Sequence, residues 1–237
     1  TTSSAASDVY KRQVSYRSVG KQLAPLIVRT RGHRLEGMWH AGSPMGMILN
    51  SLKGMLVLTP RNMVQASGMY NTLMACTDPA LIVEPLNAYR LKEKEPINLG
   101  EFTVPLGKIE IINPGTDITV VSYGSTLKLV EKTIPELERN NINIELIDIQ
   151  SLIPFDLNKD IVESIKKTNK LLIVDEDYPG GASSFILKVL IEDHNGFKYL
   201  DSKPITLTAQ EHRTPYGSDG DYFSKPSIDD ILSLIHI

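Results

Sequence analysis

The residues best suited to chemistry in this sequence form one polar segment, Arg29–Pro44, which follows a short apolar run. The segment holds three arginines and two histidines among three glycines, and Arg31, His33 and His40 are its most useful side chains. Imidazole titrates near neutral pH and can act as an acid, a base or a hydrogen-bond donor, while guanidinium groups suit carboxylates and phosphates. A solvated loop with structural salt bridges is the alternative, but such a loop does not require Trp39 and two histidines between glycine turns. The composition therefore favours a functional segment.

Other features give weaker signals. The spacing of His33 and His40 matches no familiar metal-binding pattern, and no cysteine lies near them. Asp175–Ser184 lacks the glycine spacing of a dinucleotide fold and the lysine of a phosphate loop, so we interpret it as a strand–turn–helix junction with exposed acidic residues. Gly217–Tyr222 is predicted to be a turn rather than a calcium or magnesium loop, and His194 a surface residue.

Composition excludes several classes of function. A formal net charge of -3 without a block of basic residues gives no support for nucleic-acid binding. The single cysteine, Cys76, cannot form an internal disulfide, and no partner base for a nucleophilic role is apparent. No apolar run reaches the roughly 18 residues needed to span a bilayer, and the first residues lack a secretory signal, so a cytoplasmic protein without a membrane partner is predicted. Residues 1–13 and 232–237 are unpatterned and are predicted to be non-native or disordered tails.

Strands alternate with helices along the rest of the chain. Continuous apolar runs predict strands that are covered on both faces, and apolar stripes at helical spacing predict the helices between them. The first series is predicted as strands at Pro25–Thr30, Met55–Pro60 and Ala80–Glu84, with helices at Met45–Gly54 and Asn62–Ala75. The second is predicted as strands at Asp117–Tyr123, Asn143–Ile149, Leu171–Glu176 and Pro204–Ala209, with helices at Ser125–Asn140, Asn158–Thr168 and Gly181–Asp193.

This alternation predicts an α/β fold with parallel sheets. Asn62 is the predicted N-cap of its helix, and Pro135 is expected to kink or split the helix that contains it. A first sheet of only three strands would leave both of its edges poorly protected, so further strands are expected upstream.

Several motifs, taken in order, resemble the β subunits of thiamine-diphosphate-dependent 2-oxo acid dehydrogenases. PLIVRTRGHRLEGMWHAGSP and MLVLTPRNMVQASGMYNTLMACTDPALIVEPLNAYR are similar to the later part of the pyrimidine-binding domain of those subunits. The sequence from Val104 onward, including IELIDIQSLIPFDL and LLIVDEDYPGGASSFI, is similar to their transketolase C-terminal domain. The resemblance covers nearly the whole chain between the two ends, and the form RTRGHRLEG is most like versions in which the α and β portions are fused.

The resemblance implies a division of the chain. Residues 14–88 would be a partial, transketolase-like pyrimidine-binding domain, residues 89–107 a linker, and residues 108–231 a transketolase C-terminal α/β domain. The family's activating glutamate would lie upstream of Val14, and its diphosphate domain with the magnesium motif would lie in the α portion. The chain is therefore expected to be N-terminally truncated and inactive alone.

The resemblance also implies a reaction, in which a 2-oxo acid is decarboxylated on thiamine diphosphate and a lipoyl group is reductively acylated. His40 matches the family's β-subunit histidine beside the cofactor and would donate or shuttle protons, a role that suits an imidazole. Arg31 and His33 are secondary candidates for substrate or lipoyl contacts. A potassium site built largely from backbone carbonyls is matched by Leu26, Leu73, Met74, Cys76 and Asp78, where Cys76 replaces a commoner acidic residue.

The implied partners are an α subunit or portion, a second β portion and a lipoyl-bearing dihydrolipoyl acyltransferase. The implied cofactors are thiamine diphosphate and magnesium, bound mainly outside this chain, and potassium. One alternative is another transketolase-like enzyme, such as a transketolase or a deoxyxylulose-phosphate synthase. Another is a non-catalytic module that docks the acyltransferase.

Overall fold

The computed structural model describes residues 17–23, 25–33, 43–93, 95, 97, 99–217 and 219–235. Within them the strands are β1 (Ile27–His33), β2 (Leu56–Leu58), β3 (Ala80–Pro85), β4 (Glu110–Asn113), β5 (Ile118–Ser122), β6 (Ile144–Asp148), β7 (Ser151–Ile153), β8 (Leu171–Val174) and β9 (Ile205–Leu207). The α-helices are α1 (Met45–Ser51), α2 (Met63–Met74), α3 (Leu127–Arg139), α4 (Asp160–Thr168), α5 (Ala182–Lys188), α6 (Gly220–Ser224) and α7 (Ile228–Ile235). Short 3₁₀ turns cover Leu86–Arg90, Gly124–Thr126 and Gly196–Tyr199.

The first sheet has the strand order β1-β3-β2-β7. Its first three strands are parallel, with Ala80 of β3 aligned with Ile27 on one side and Leu56 on the other. β7 pairs antiparallel with β2 and thereby covers an edge that the sequence predicted to be open. The expectation of two unprotected edges was therefore wrong on the β2 side, because a strand about a hundred residues later in the chain returns to it.

The second sheet has the order β4-β6-β5-β8-β9. β6, β5, β8 and β9 are parallel, as the apolar runs predicted, whereas β4 lies antiparallel to β6 at one edge. β4 and β7 were not predicted, because each is short and lies in a stretch without a continuous apolar run. The α/β fold class is confirmed.

A single large apolar core joins the two sheets. It combines Val57 and Leu81 of the first sheet with Val121, Ile147 and Ile173 of the second. Each of these side chains is at most 5% exposed, and full burial of one aliphatic side chain is worth about 1.5–3 kcal/mol. The two sheets are consequently held in one arrangement, which matters for the polar groups at their ends.

The helices largely follow the predicted bounds. Asn62 caps α2 as predicted, since its side-chain oxygen accepts the Gln65 N–H at 2.8 Å. α3 runs unbroken through Pro135, so the helix is not split; the proline is on the exposed face, where the carbonyl that loses its partner can be hydrated. The single helix predicted at Gly181–Asp193 is α5 followed by a π-helical turn at Val189–Asp193.

The end of the described chain is helical. Leu232, Leu234 and Ile235 of α7 pack against the apolar cluster beneath α3. The predicted boundary at residue 231 stays a prediction, and residues 1–13 lie outside the described part of the chain. Among the described residues, no helix is long and apolar enough to cross a bilayer.

Candidate functional site

The site is built where the carboxyl ends of parallel strands from both sheets meet, a usual position for ligand sites in open α/β sheets. His33, the last residue of β1, is fully buried there. Its Nε2 accepts the backbone N–H of Ser125 at 3.1 Å, and its Nδ1 lies 3.2 Å from Oε1 of Glu176. Because Nε2 is the acceptor, a neutral ring carries its proton on Nδ1, facing the carboxylate.

Gly124 is required for this arrangement. It adopts a left-handed conformation with φ +56°, and a Cβ added there would lie 2.5 Å from Nε2 of His33. Both facts favour glycine, because other residues rarely adopt this φ and a side chain would displace the imidazole. The turn that follows β5 therefore packs directly against the end of β1.

Three consecutive carboxylates, Asp175–Asp177, follow β8, and we call them the acidic segment. They are 0%, 3% and 3% exposed, so the expectation of exposed acidic residues was wrong. Oδ1 of Asp175 accepts the Tyr123 hydroxyl at 2.6 Å, and Oδ2 accepts the Ser183 N–H at 2.8 Å. Burial raises the pKa of Asp175 to about 6 despite these hydrogen bonds.

Asp177 connects the two halves of the site, because its carboxylate accepts hydrogen bonds from the first turns of two helices. Its Oδ2 accepts the N–H of Gly46, in the first turn of α1, at 2.7 Å and that of Ala182, which begins α5, at 3.2 Å. Free amides at a helix start attract a negative charge, so one carboxylate serves two helices. Burial raises the pKa of Asp177, while the N–H groups that it accepts oppose that effect.

A second polar group forms at the end of β3. Glu84 accepts the Tyr70 hydroxyl at 2.6 Å, the Arg29 guanidinium at 2.9 Å and the Tyr89 hydroxyl at shorter range. Burial alone would raise the pKa of Glu84, but the three donors outweigh it and the pKa lies below its ordinary value. The Arg29 side chain is 68% exposed, so most of its guanidinium still faces solvent.

The structure places the two predicted substrate residues in different surroundings. Arg31 is exposed near the end of β1, whereas His33 is enclosed by Ser125, Glu176 and the ring of Tyr123, whose centroid is 5.0 Å away. His40 lies outside the described residues. The catalytic and substrate assignments therefore stay predictions, with His33 the one that the structure surrounds with charged and polar partners.

The predicted potassium ligands lie at the end of α2 (Leu73 and Met74), shortly after it (Cys76 and Asp78) and directly before β1 (Leu26). The carbonyl of Leu26 accepts the Ala80 N–H at 2.8 Å, and that of Leu73 accepts the Cys76 N–H at 3.1 Å. A carbonyl oxygen has two lone pairs, so these bonds leave room for a further contact. The assignment of Leu26, Leu73, Met74, Cys76 and Asp78 stays a prediction.

The predictions for His194 and for Gly217–Tyr222 differ from the structure in part. The side chain of His194 is only 11% exposed, and its Nδ1 lies 3.6 Å from the buried Asp156. The ring also stacks on Phe155 at 6.4 Å, so His194 is a packed residue rather than a surface one. The segment predicted as a turn at Gly217–Tyr222 leads into α6, which begins at Gly220.

The acidic segment and Gly46 are the site residues that sequence reasoning missed. Three acidic residues directly after the buried strand LLIV, followed by Gly180 and Gly181, were the available signal. Their burial could not be inferred, because it depends on α1 and β1, which lie more than 120 positions away in the sequence.

Comparison with known proteins identifies the second half of the chain. Residues 107–223 match the family model of the transketolase C-terminal domain. This match spans β4 to β9 and includes the acidic segment and the turn after β5. The half of the site that faces His33 therefore belongs to this domain.

Similarity to known subunits extends over most of the chain. It is 29% identical over 222 residues to the pyruvate dehydrogenase E1 component subunit beta of Acholeplasma laidlawii, covering 92% of this chain and 66% of that protein. It is also 29% identical to the acetoin:2,6-dichlorophenolindophenol oxidoreductase subunit beta of Bacillus subtilis, covering 91% and 62%. The chain thus spans slightly less than two thirds of these relatives.

A solved structure has the same fold. An inactive β4 tetramer of a split-gene transketolase superposes with a TM-score of 0.71, covering 97% of this chain and 73% of that one. At 16% sequence identity, this likeness concerns the fold alone.

Proposed function

We propose that this chain, which carries a transketolase C-terminal domain and belongs with the β subunits of 2-oxo acid dehydrogenases, works in the first enzyme of such a complex. That enzyme would decarboxylate a 2-oxo acid and reductively acylate a lipoyl group on a partner acyltransferase. The observation that carries the proposal is similarity to β subunits over most of the chain, including both halves of the site. An oxidoreductase acting on 2-oxo acids with a lipoyl acceptor is the resulting class.

The described residues do not by themselves fit thiamine diphosphate. The buried charged groups at the strand ends include three carboxylates, and these would repel a diphosphate rather than hold it. In the described part of the chain, no group of three or more His, Cys, Asp or Glu side chains could hold a metal ion. Thiamine diphosphate and magnesium would therefore be bound mainly by the α subunit or portion, and potassium by the carbonyls near α2.

Within the shared site, His40 is the proposed catalytic residue. An imidazole is suited to donating or shuttling protons while the acyl group passes to the lipoyl sulfur. Arg31, which is exposed near the end of β1, would contact a carboxylate or the lipoyl arm, and His33 is a second candidate. The partners would be the α portion, a second β portion and the acyltransferase, in a cytoplasmic complex without nucleic acid or membrane.

The two alternatives from the sequence have less support. The two curated relatives described above are β subunits, and the transketolase structure, at 16% identity, supports the fold alone. A purely structural docking module would not require the enclosed histidine and the carboxylates at the strand ends. Docking of the acyltransferase can accompany catalysis, and both are measured with the His40→Ala variant.

The proposal is tested by His40→Ala in the complete enzyme, assembled with its α partner. Lipoyl acylation should fall at least 100-fold, which is a typical contribution of a general acid or base. Capture of the acyltransferase should be unchanged, because docking does not need the imidazole. The measurement is the rate of acylation of a lipoyl domain, alongside a pull-down of the acyltransferase.

His212→Ala is the matched control, since His212 is exposed and its Nδ1 contacts the backbone carbonyl of the next residue. It should acylate at the wild-type rate. Equal rates for the two variants would remove His40 from the mechanism. A wild-type enzyme inactive on pyruvate, branched-chain oxo acids and acetoin would overturn the function itself.

A further inference from the structure

Two exposed arginines, Arg29 and Arg31, lie on one face of β1 near its carboxyl end. They share this face because side chains alternate along a strand, with Thr30 between them on the other side. Two residues of extended chain span about 6.6 Å, so the two arginine side chains leave the sheet next to each other. In the pairing with β3, Arg31 is aligned with Glu84, whose carboxylate contacts Tyr70 of α2. The arginine pair is therefore on the face of the sheet against which α2 packs.

A buried carboxylate fixes the direction of the first arginine. Glu84 is only 8% exposed, and it accepts the hydroxyl groups of Tyr70 and Tyr89 as well as Nη2 of Arg29. A carboxylate that accepts three donors cannot turn without breaking a hydrogen bond, so it holds the guanidinium in one orientation. The Arg29 side chain is nevertheless 68% exposed, and other N–H groups of its planar fork are available to a ligand.

The second arginine carries a charge that the described residues do not neutralise. In the part of the chain that the structure describes, no carboxylate forms an ion pair with Arg31 or with Arg90, which is exposed at the end of the 3₁₀ turn after β3. Since Arg29 and Glu84 balance each other, this corner of the first sheet is positive, although the formal net charge of the protein is -3. An anion placed between the arginines would relieve their mutual repulsion.

We propose that Arg29 and Arg31 form a binding site for an oxyanion, the phosphate or carboxylate group of a small molecule, and that Glu84 is the support that orients Arg29. A guanidinium donates two parallel N–H groups to such an anion, and the carboxyl ends of parallel strands are a usual position for ligands. The site is inferred from these contacts alone and does not depend on the proposed function, in which Arg31 is a substrate contact.

Binding is tested on this chain without an enzyme assay. The protein is titrated at low ionic strength with inorganic phosphate and, separately, with acetate, and the shifts of the arginine Nε–Hε signals are followed by NMR. Shifts of Arg29 and Arg31 that saturate together, and that weaken as sodium chloride is added, are expected. Tighter binding of phosphate would identify a phosphoryl ligand, and tighter binding of acetate a carboxylate. The absence of shifts with both anions would overturn the site.

Arg31→Met removes one of the two forks and leaves no described carboxylate without its partner. The dissociation constant for the anion should rise about fivefold, which is close to the largest contribution of an exposed ion pair. Arg139→Met is the matched control, because Arg139 is also exposed but lies at the end of α3. It should bind the anion like the wild type, and equal dissociation constants for the two variants would contradict the assignment of Arg31.

Glu84→Gln distinguishes an oriented site from an unspecific positive surface. The variant loses a negative charge, so charge alone predicts tighter binding of the anion. We expect weaker binding, by about threefold or more, because Arg29 is no longer held and its side chain must be ordered by the ligand. An affinity equal to or above that of the wild type would show that Glu84 does not orient the site.

Circular dichroism establishes that each variant is folded. If Glu84→Gln does not fold, Tyr89→Phe removes one of the donors that hold Glu84 without changing the charge, and it should weaken binding in the same direction. Unchanged binding in Tyr89→Phe would then count against the support. A complete wild-type enzyme without activity would overturn the proposed function, whereas the titrations would still decide the oxyanion site.

Discussion

At the residue scale, the unusual feature of this protein is the concentration of buried carboxylates after β8. Asp175 is enclosed by its own hydrogen-bond donors, yet burial dominates and raises its pKa to about 6. An ionised carboxylate in such a place is a cost at neutral pH, which the surrounding N–H groups only partly offset. The carboxylates nevertheless join the two sheets, through His33 and the start of α1.

The raised pKa of Asp175 has a definite consequence for stability. A group whose folded pKa exceeds its unfolded value stabilises the fold fully below the unfolded pKa, near 3.8, and loses that contribution as pH rises through about 6. The contribution is on the order of 3 kcal/mol, since each pKa unit corresponds to about 1.4 kcal/mol. The free energy of unfolding of the wild type, measured relative to that of Asp175→Asn, should therefore fall between pH 4 and pH 7.

The measurement is urea denaturation of both proteins at several pH values. Asp175→Asn removes the titrating group and leaves the other buried carboxylates as a common background. A difference in unfolding free energy that rises with pH would contradict the assignment, because it would mean that the folded state lowers the pKa of Asp175.

At the element scale, the chain after β3 is tied to α2 rather than left as a free connection. The carbonyl of Phe102 accepts the Asn71 side chain at 2.7 Å, and the Val104 N–H donates to the Gly68 carbonyl at 3.2 Å. A Cβ added at Gly68 would lie 2.5 Å from the ring of Phe102. Gly68 thus allows the segment leading into the second sheet to lie directly on the helix.

Gly68→Ala separates this packing effect from helix propensity. In an unobstructed helix the change would stabilise the protein by about 1 kcal/mol, but overlap with Phe102 and Val104 should cost about 1–3 kcal/mol. We expect a net loss in the free energy of unfolding, measured by chemical denaturation. In a Phe102→Ala background the loss should be smaller, because only the overlap with Val104 remains. Stabilisation in the wild-type background would contradict the close packing.

At the scale of the whole molecule, a further polar group, at the end of β6, joins the two sheets. Arg61, before α2, donates to Asp148 at the end of β6 at 2.6 Å, and Gln65 donates to the same oxygen at 2.7 Å. Asp148 is fully buried, and burial raises its pKa even though Arg61 lowers it. Removal of Arg61 would leave a buried carboxylate without its cation.

Arg61→Met should therefore lower the free energy of unfolding by about 2 kcal/mol, less than the 3–5 kcal/mol typical of a fully buried pair because Arg61 is 16% exposed. In an Asp148→Asn background the loss should be smaller by about 1 kcal/mol or more. The measurement is a double-mutant cycle by chemical denaturation.

Arg139→Met is the control, because it breaks an ion pair whose arginine side chain is 71% exposed. It should lower the free energy of unfolding by less than about 0.5 kcal/mol. Equal costs for Arg61→Met and Arg139→Met would show that the buried pair does not couple the sheets.

The sequence alone determined the α/β class, the parallel strands β1, β2, β3, β5, β6, β8 and β9, and the N-cap at Asn62. These follow from apolar runs, helical spacing and capping chemistry, which act between residues close in sequence. The resemblance in its motifs also indicated the family, and it drew attention to the segment after β1. His40 came from that resemblance, and its surroundings lie outside the described residues.

Only the tertiary structure decided how deeply the residues at the strand ends are buried and which residues they contact. The sequence shows Asp175–Asp177 as acidic residues beside a glycine turn, for which exposure is the ordinary expectation. Whether a carboxylate is desolvated depends on what packs against it, and here that is β1 and the start of α1. The pairing of β7 with β2 was hidden for the same reason, since long-range pairing leaves little trace in a short strand. The site residues could be named from local patterns, but their burial, charge state and partners were set by segments distant in sequence.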